Sequence, residues 1–179
     1  YPTRHEREWP LKGGGSVLIR PIHPDDAQLL QALVRGLSPE SRWFRFASHM
    51  PELPARMLAR YTLIDYDREM ALVALVKAAD DHPGAVGGRR MIGVARYITN
   101  PDGISCEFSL VVADDFHGRG LGQRLMLSII EAARAKGLGQ IIGLILAQNA
   151  PMLRLMTSLG FTLSPCPEDP DFRRAVKVL

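Results

Sequence analysis

The apolar positions of the chain repeat with two different periods, and the changes between them mark out the elements. Ser16–Ile22 (SVLIRPI) reads as a first strand. Pro24-Asp25-Asp26 opens a helix that runs to about Gly36, with carboxylates in the first turn, where the helix dipole favours negative charge. Ser38-Pro39-Glu40 opens a second helix, with Ser as N-cap and Pro at the first helical position. A third is expected near Leu53–Tyr61. Met70–Lys77 (MALVALVK) is continuously apolar, as in a strand buried on both faces. Residues 78–89 are a Gly/Pro/Asp loop. Met91–Thr99 reads as a strand, Asn100-Pro101-Asp102-Gly103 as a turn, and Ile104–Ala113 as the hairpin partner. A helix near Gly120–Lys136, a strand at Gln140–Ala147, a helix near Ala150–Leu159, and short strands near Phe161–Ser164 and Arg174–Leu179 complete the chain. Antiparallel pairs precede a crossover helix. This order predicts an α/β fold of the α+β type, one mixed sheet with helices on both faces. Residues 1–15 end in Lys12-Gly13-Gly14-Gly15 and are expected to be a flexible N-terminal arm or linker to a domain spanning 16–179.

Composition narrows the function classes. An apolar fraction of 46% and a charged fraction of 23% in 179 residues fit one globular domain. The apolar runs are too short to span a bilayer. The polar N-terminus Tyr1–Glu8 lacks the apolar stretch of a signal peptide. Cys106 and Cys166 form neither a metal cluster nor a disulfide framework, which fits a reducing cytoplasm, and Cys106 is expected as a buried free thiol. The five histidines are scattered without ligand spacing, so no metal is expected. The formal net charge of +3 favours a polyanionic ligand such as a phosphorylated cofactor. No Lys/Arg run with interleaved aromatics supports nucleic-acid binding.

The most informative segment runs from Val111 to Gln123 (VVADDFHGRGLGQ). A strand enters a turn with three glycines, and an apolar-periodic helix follows. Glycine allows unusual backbone angles and close approach of a ligand, and the first N–H groups of a helix lack intrahelical partners. Together with the helix dipole they make a phosphate site; the competing reading is a tight connection in which glycine only makes the turn. Arg119 would add positive charge. A dinucleotide fingerprint is disfavoured because, counted from Gly118, its third glycine falls on Gln123. No nucleotide-triphosphate loop motif occurs.

His117-Gly118-Arg119-Gly120-Leu121-Gly122 resembles the cofactor motif of the GNAT family of N-acetyltransferases, Arg/Gln-x-x-Gly-x-Gly/Ala, with His in the first position. Asn149-Ala150-Pro151-Met152, continuing to Gly160-Phe161, resembles the family's second motif. Arg20–Asp26 (RPIHPDD), Leu37–Phe46 (LSPESRWFRF) and Ile64–Ala71 (IDYDREMA) further resemble the acetyltransferase domain of bacterial Pat-type protein lysine acetyltransferases, over roughly residues 16–164. The resemblance implies a GNAT-like fold with a central, mostly antiparallel sheet, acetyl-CoA as co-substrate and transfer to an amine. It implies contacts with the cofactor from Val111, Val112, His117, Gly118, Arg119, Gly120, Leu121, Gly122, Gln123, Asn149 and Met152. The implied partner is a protein substrate such as an acyl-CoA synthetase. The chain would be either a free-standing relative or the C-terminal domain of a longer protein.

Transfer to a lysine requires removal of a proton from an amine whose pKa is about 10.4. Glu107, in Ser105–Leu110 (SCEFSL), is the expected general base; alternation puts Ser105, Glu107 and Ser109 on one face, and the Pat-type domains carry a catalytic glutamate in the matching strand. A partly apolar cleft would raise its pKa; the bland alternative is a surface or ion-paired glutamate. A main-chain N–H near Val112 is expected to stabilise the oxyanion. The position where many family members place a proton-donating Tyr is Met156, on a helical stripe with Met152, Leu155 and Leu159 that suits core packing. A thiolate with pKa of about 8.5 leaves without obligatory protonation. Asn149 is expected to cap its helix, contact the pantetheine, or both. Trp43, Phe44 and Phe46 read first as packing residues. The run Asp65–Glu69 reads as a solvated loop with internal ion pairs, the alternative being guidance of a cationic amine. Two rival functions stay open: an N-acetyltransferase for a small amine, and a non-catalytic acyl-CoA-sensing module of a larger chain.

Overall fold

A computed structural model describes all 179 residues. In chain order the elements are β1 (Arg7–Pro10), β2 (Ser16–Pro21), α1 (Ala27–Arg35), α2 (Pro39–Phe46), α3 (Ala55–Thr62), β3 (Glu69–Lys77), β4 (Arg89–Thr99), β5 (Ser105–Val112), α4 (Leu121–Ala135), β6 (Gln140–Leu146), α5 (Ala150–Ser158), β7 (Thr162–Pro165) and β8 (Phe172–Val178). All strands join one sheet in the order β1-β2-β3-β4-β5-β6-β8-β7. Every neighbouring pair is antiparallel except β5 and β6, which are parallel. The mixed, mostly antiparallel sheet is therefore as expected.

Two features depart from the sequence reading. Residues 7–10, within the expected arm, form an edge strand on β2, so Lys12–Gly15 is a hairpin turn. The first helix begins with a tight 3-10 turn at Pro24–Asp26, because Asp26 is drawn back to the sheet. Its carboxylate accepts two hydrogen bonds from Arg20, at 2.7 and 2.8 Å, and one from the His23 N–H at 2.7 Å. Both charged side chains are nearly inaccessible, so the pair joins β2 to the start of α1.

The central strand β3 buries every residue from Glu69 to Leu75, as its unbroken apolar run predicts. Helices α1 to α3 cover one face of the sheet. Leu29, Leu30, Leu33 and Val34 give α1 its buried side, and Arg96 of β4 donates to the Tyr61 carbonyl in α3. Helix α4 covers the other face with Leu121, Leu125, Met126, Ile129 and Ile130, all almost fully buried. Gly93 of β4 makes room for it: a Cβ there would lie 2.8 Å from Leu125 Cδ1. Burying side chains of this size contributes about 1.5–3 kcal/mol each.

The feature that shapes the site is the short reach of the parallel pair. β5 and β6 are in register only over Ser105–Glu107 against Gln140–Ile142. Beyond that β6 stays paired with β8 up to Leu146, while β5 stays paired with β4 up to Val112. The two strands diverge into a wedge. The Phe108 ring fills the space where a Cβ on Gly143 would stand and meets the Phe161 ring edge-on at 5.4 Å.

Asp26→Asn should destabilise the fold by about 3–5 kcal/mol, because it leaves Arg20 buried without its counter-charge. Burial alone raises the Asp26 pKa, but the Arg20 and His23 hydrogen bonds outweigh it and hold the carboxyl below its ordinary value of 3.8. With the folded pKa depressed, this stabilisation is complete above that value and is lost as pH falls through the lower folded value. Urea midpoints measured at acid pH in wild type and variant check this, since the variant lacks the Asp26 contribution to the slope.

Candidate active site

The far end of β5 passes through a 3-10 turn, Asp114–Phe116, into the glycine-rich bend. Its two acidic residues are anchored. Asp114 accepts from the Ser38 N–H at 3.1 Å and from the Ser38 and Ser41 hydroxyls at 2.8 and 2.9 Å. Burial raises the Asp114 pKa, but these donors hold it below the usual carboxylate range. Ser38 also caps α2, accepting from the Ser41 N–H, so one cluster ties α2 to the end of β5. Asp115 is gripped by both terminal nitrogens of Arg90 at 2.7 Å, and that guanidinium keeps its carboxyl low.

The bend itself has the form expected of an anion cradle. Gly118 and Gly120 have φ of 76° and 80°, in the left-handed region that side chains disfavour. None of the main-chain N–H groups from Gly118 through Arg119, Gly120, Leu121 and Gly122 to Gln123 meets an acceptor within the chain. The first helical bond at this end is Arg124 N–H to the Gly120 carbonyl. These donors lie at the positive end of a 15-residue helix. Gly122 is less constrained: a Cβ there would make ordinary contacts at 3.5 Å or more.

Two members of the motif differ from expectation. Arg119 does not turn its donors toward the bend. Its Nε and Nη2 donate to the Lys12 and Gly14 carbonyls at 3.1 and 2.6 Å, and its guanidinium lies over the Phe116 ring. It therefore fastens the β1–β2 hairpin beside the bend. The His117 ring Nε2 lies 2.9 Å from the Val112 carbonyl and joins the bend to the strand end.

Along the wedge, β5 exposes one side of its main chain. The Ala113 N–H bonds to Ile92 of β4, and alternation then turns the main-chain groups of Val111 to β4 as well. Val111 also buries its side chain, so it offers a ligand little. Leu110 and Val112 face the opening instead. Val112 is among the cofactor contacts expected from the sequence, and Leu110, which has the same orientation, is not, because sequence alone does not tell which parity pairs with β4. Across the wedge Asn149 is buried, and its Oδ1 accepts the Met152 N–H at 3.2 Å, which is the helix cap expected of it. Met152 is half-buried, and Met156 is fully buried core.

Glu107 is the last β5 residue paired with β6, so it marks the apex of the wedge. It projects from the α1–α3 face opposite Ile98 and is exposed. The apolar enclosure expected around its carboxylate is not formed by the chain's own side chains. Trp43 and Phe44 are not core residues: with Pro39, Glu40, His49 and Gln148 they line a groove of about 370 Å³ between α2 and the loop before α5. Phe46 does pack against the core. The acidic run does not form the internal ion pairs expected of it: Glu69 is buried at the start of β3 and pairs with Arg60 of α3 at 2.6 Å, and the exposed Asp67 lies 3.9 Å from Lys136. Cys106 is the buried thiol expected, and burial pushes its pKa up to about 12.

Gly120→Ala should cost about 1–2 kcal/mol in stability through the left-handed backbone. It should also weaken CoA-thioester binding by about tenfold or more, since the bend can no longer present its N–H groups together. Thermal unfolding and calorimetry with acetyl-CoA read the two effects separately.

Comparison with known proteins agrees with this geometry. The chain is 35% identical over 159 residues to Acetyltransferase PA5475 of Pseudomonas aeruginosa, covering 89% of this chain and 82% of that protein. It is 34% identical over 113 residues to an L-methionine sulfoximine/L-methionine sulfone acetyltransferase of Pseudomonas paraeruginosa, covering 63% of this chain and 64% of that protein. The crystal structure of the GNAT domain of S. lividans PAT superposes with a TM-score of 0.87 at 26% identity, covering 100% of this chain and 99% of that one. The sequence profile of the Acetyltransferase (GNAT) family matches residues 38–161. The chain is thus a member of the GNAT family of acetyltransferases, with acetyl-CoA as its co-substrate.

Proposed function

We propose that the chain transfers the acetyl group of acetyl-CoA to the side-chain amine of a protein lysine, with Glu107 as the general base. The observation that carries this reading is the placement of Glu107 at one end of the wedge and the unpaired N–H groups of residues 118–123 at the other. The β5 residues between Glu107 and Val112 span about 16 Å at about 3.3 Å per residue, the reach of an extended pantetheine arm. A diphosphate held at the bend would direct its thioester toward Glu107, with the arm lying along the unpaired main chain of Leu110 and the free N–H of Val112, whose carbonyl is taken by His117. Asn149 serves from the opposite wall, where its Nδ2 makes no hydrogen bond within the chain.

In this scheme the Glu107 carboxylate accepts a proton from the lysine ammonium, directly or through water, the neutral amine then attacks the thioester carbonyl, and the second N–H proton passes to water as the tetrahedral adduct collapses. Of the wedge-facing main-chain N–H groups, that of Leu110, two residues nearer Glu107 than the expected Val112, is the donor for the oxyanion. The C–S bond then breaks and CoA leaves as the thiolate, whose pKa of about 8.5 makes a dedicated acid unnecessary. The open position of Glu107 supports an acceptor carried on a macromolecule, as does the full-length likeness to the PAT domain. An acyl-CoA synthetase is the first protein to try as acceptor. Two free, buried cysteines accord with work in a reducing cytoplasm. A second reading, acetylation of a small amine, is favoured by the aromatic groove of Trp43, Phe44 and His49 and by the relative named for methionine sulfone.

Glu107→Gln should lower kcat by about 10²–10⁴-fold while the Kd for acetyl-CoA stays within about twofold, because the carboxylate acts at the apex and not at the bend. Steady-state CoA release and calorimetry measure both; normal turnover in the variant removes Glu107 from the base role. Release of CoA with an acyl-CoA synthetase, compared with a panel of small amines, separates the two acceptors.

A further inference from the structure

Beside Glu107 lies a pair of arginines that the scheme above leaves unused. Arg96 stands opposite Ser109 in the β4–β5 register and shares a sheet face with Glu107, one same-face step away. It is only 6% exposed. Its Nη1 donates to the Tyr61 carbonyl, its Nε is buried without a partner, and its Nη2 bonds to nothing in the chain. Its guanidinium lies over the Tyr61 ring at 4.4 Å. Arg45, half-buried at the end of α2, approaches the same ring at 5.8 Å and the Phe46 ring at 4.7 Å, and its one polar side-chain neighbour is Tyr61, with no carboxylate beside it. No carboxylate bridges the two. Glu69, whose charge reaches Arg96, is bonded to Arg60 and to the Asp65 N–H. Burial first and the Arg45 charge second bring the Arg96 pKa down to about 10.

Buried charges are ordinarily paired, because an unpaired one loses its hydration without compensation. Two guanidinium groups flanking one aromatic ring, with free donors and no counter-ion, have the chemistry of a carboxylate receptor. Their place next to the base gives the receptor a purpose.

Resting on the reading of Glu107 as the base, we propose that Arg45 and Arg96 form a binding site for a carboxylate carried by the acceptor close to its reacting amine. Opposite corners of one strand pair are about 7–8 Å apart, and the long arginine side chains close much of that gap. A substrate with its amine at Glu107 therefore brings a neighbouring carboxylate within their reach. The same chemistry has two sources: the α-carboxylate of a free amino acid, or an acidic side chain next to the target lysine.

Acceptors matched in amine and differing only in the carboxylate test this: L-methionine sulfone against its amide, and lysine peptides with Asp or Asn directly before the lysine. In the full chain the carboxylate member of one pair should be preferred by about tenfold or more in kcat/KM, and the pair that shows the preference identifies the source. The preference should fall to about twofold or less in Arg96→Met and in the less buried Arg45→Met, with the loss in KM, and Arg96→Lys should recover part of it. Equal use of both members in both pairs, or a preference that survives both Met variants, overturns the proposal. A second arm needs neither turnover nor a variant that folds: the wild-type unfolding temperature in sodium glutarate against sodium chloride at equal ionic strength. A rise with glutarate supports the site, and no rise overturns it. Because this arm does not involve Glu107, an active Glu107→Gln variant would remove the base and leave the anion site standing.

Discussion

The structure depends on a single failure of pairing. β5 and β6 run together from Ser105 to Glu107 and then separate, because each is held by its other neighbour, β5 by β4 and β6 by β8. Phe108 lies in the fork, its ring taking the place of a side chain on Gly143. A sheet that stayed closed would spend the main-chain groups of Leu110 and the N–H of Val112 on its own ladder. By opening, it leaves them available along a channel with a carboxylate at its narrow end and a row of free N–H groups at its wide end.

The remainder of the fold keeps those two ends in fixed relation. The wide end is tied to the strand by His117 on the Val112 carbonyl, to α2 by Asp114 with Ser38 and Ser41, and to the first hairpin by Arg119. These contacts link segments up to 107 residues apart in the chain, so the bend is positioned by distant parts of the protein as well as by its own glycines. α2 carries both the aromatic groove and Arg45. Its attachment through Asp114 means that the acceptor side and the cofactor side share one fixed reference.

Much of this was legible in the sequence, and the exceptions have physical causes. The strands from Met70 onward, the capped start of α2, the helix after the bend and the strand face of Glu107 follow from local patterns: apolar runs, Ser-Pro-Glu, three glycines, period-two alternation. What escaped depends on partners far along the chain. The strand at Arg7–Pro10 is short and polar, and it exists because β2 offers an edge. Arg119 has the composition of a phosphate ligand, but hairpin carbonyls more than 100 residues away claim its donors. Trp43 and Phe44 carry the apolar mark of core residues yet line a groove, since α2 is short and buries none of its residues completely. The unpaired state of Arg96 cannot be read from a string in which Asp65, Asp67 and Glu69 all stand nearby; only the fold assigns Glu69 to Arg60.

The margins of the sheet have a consequence for association. Its outer strands, β1 and β7, are four residues each and both end in proline, Pro10 and Pro165. Proline withholds a main-chain donor, and so short a border gives an incoming strand little to grip. The open-ended sheet thus offers an incoming strand little to pair with at either border, even though its interior depends on an opening that lays backbone bare.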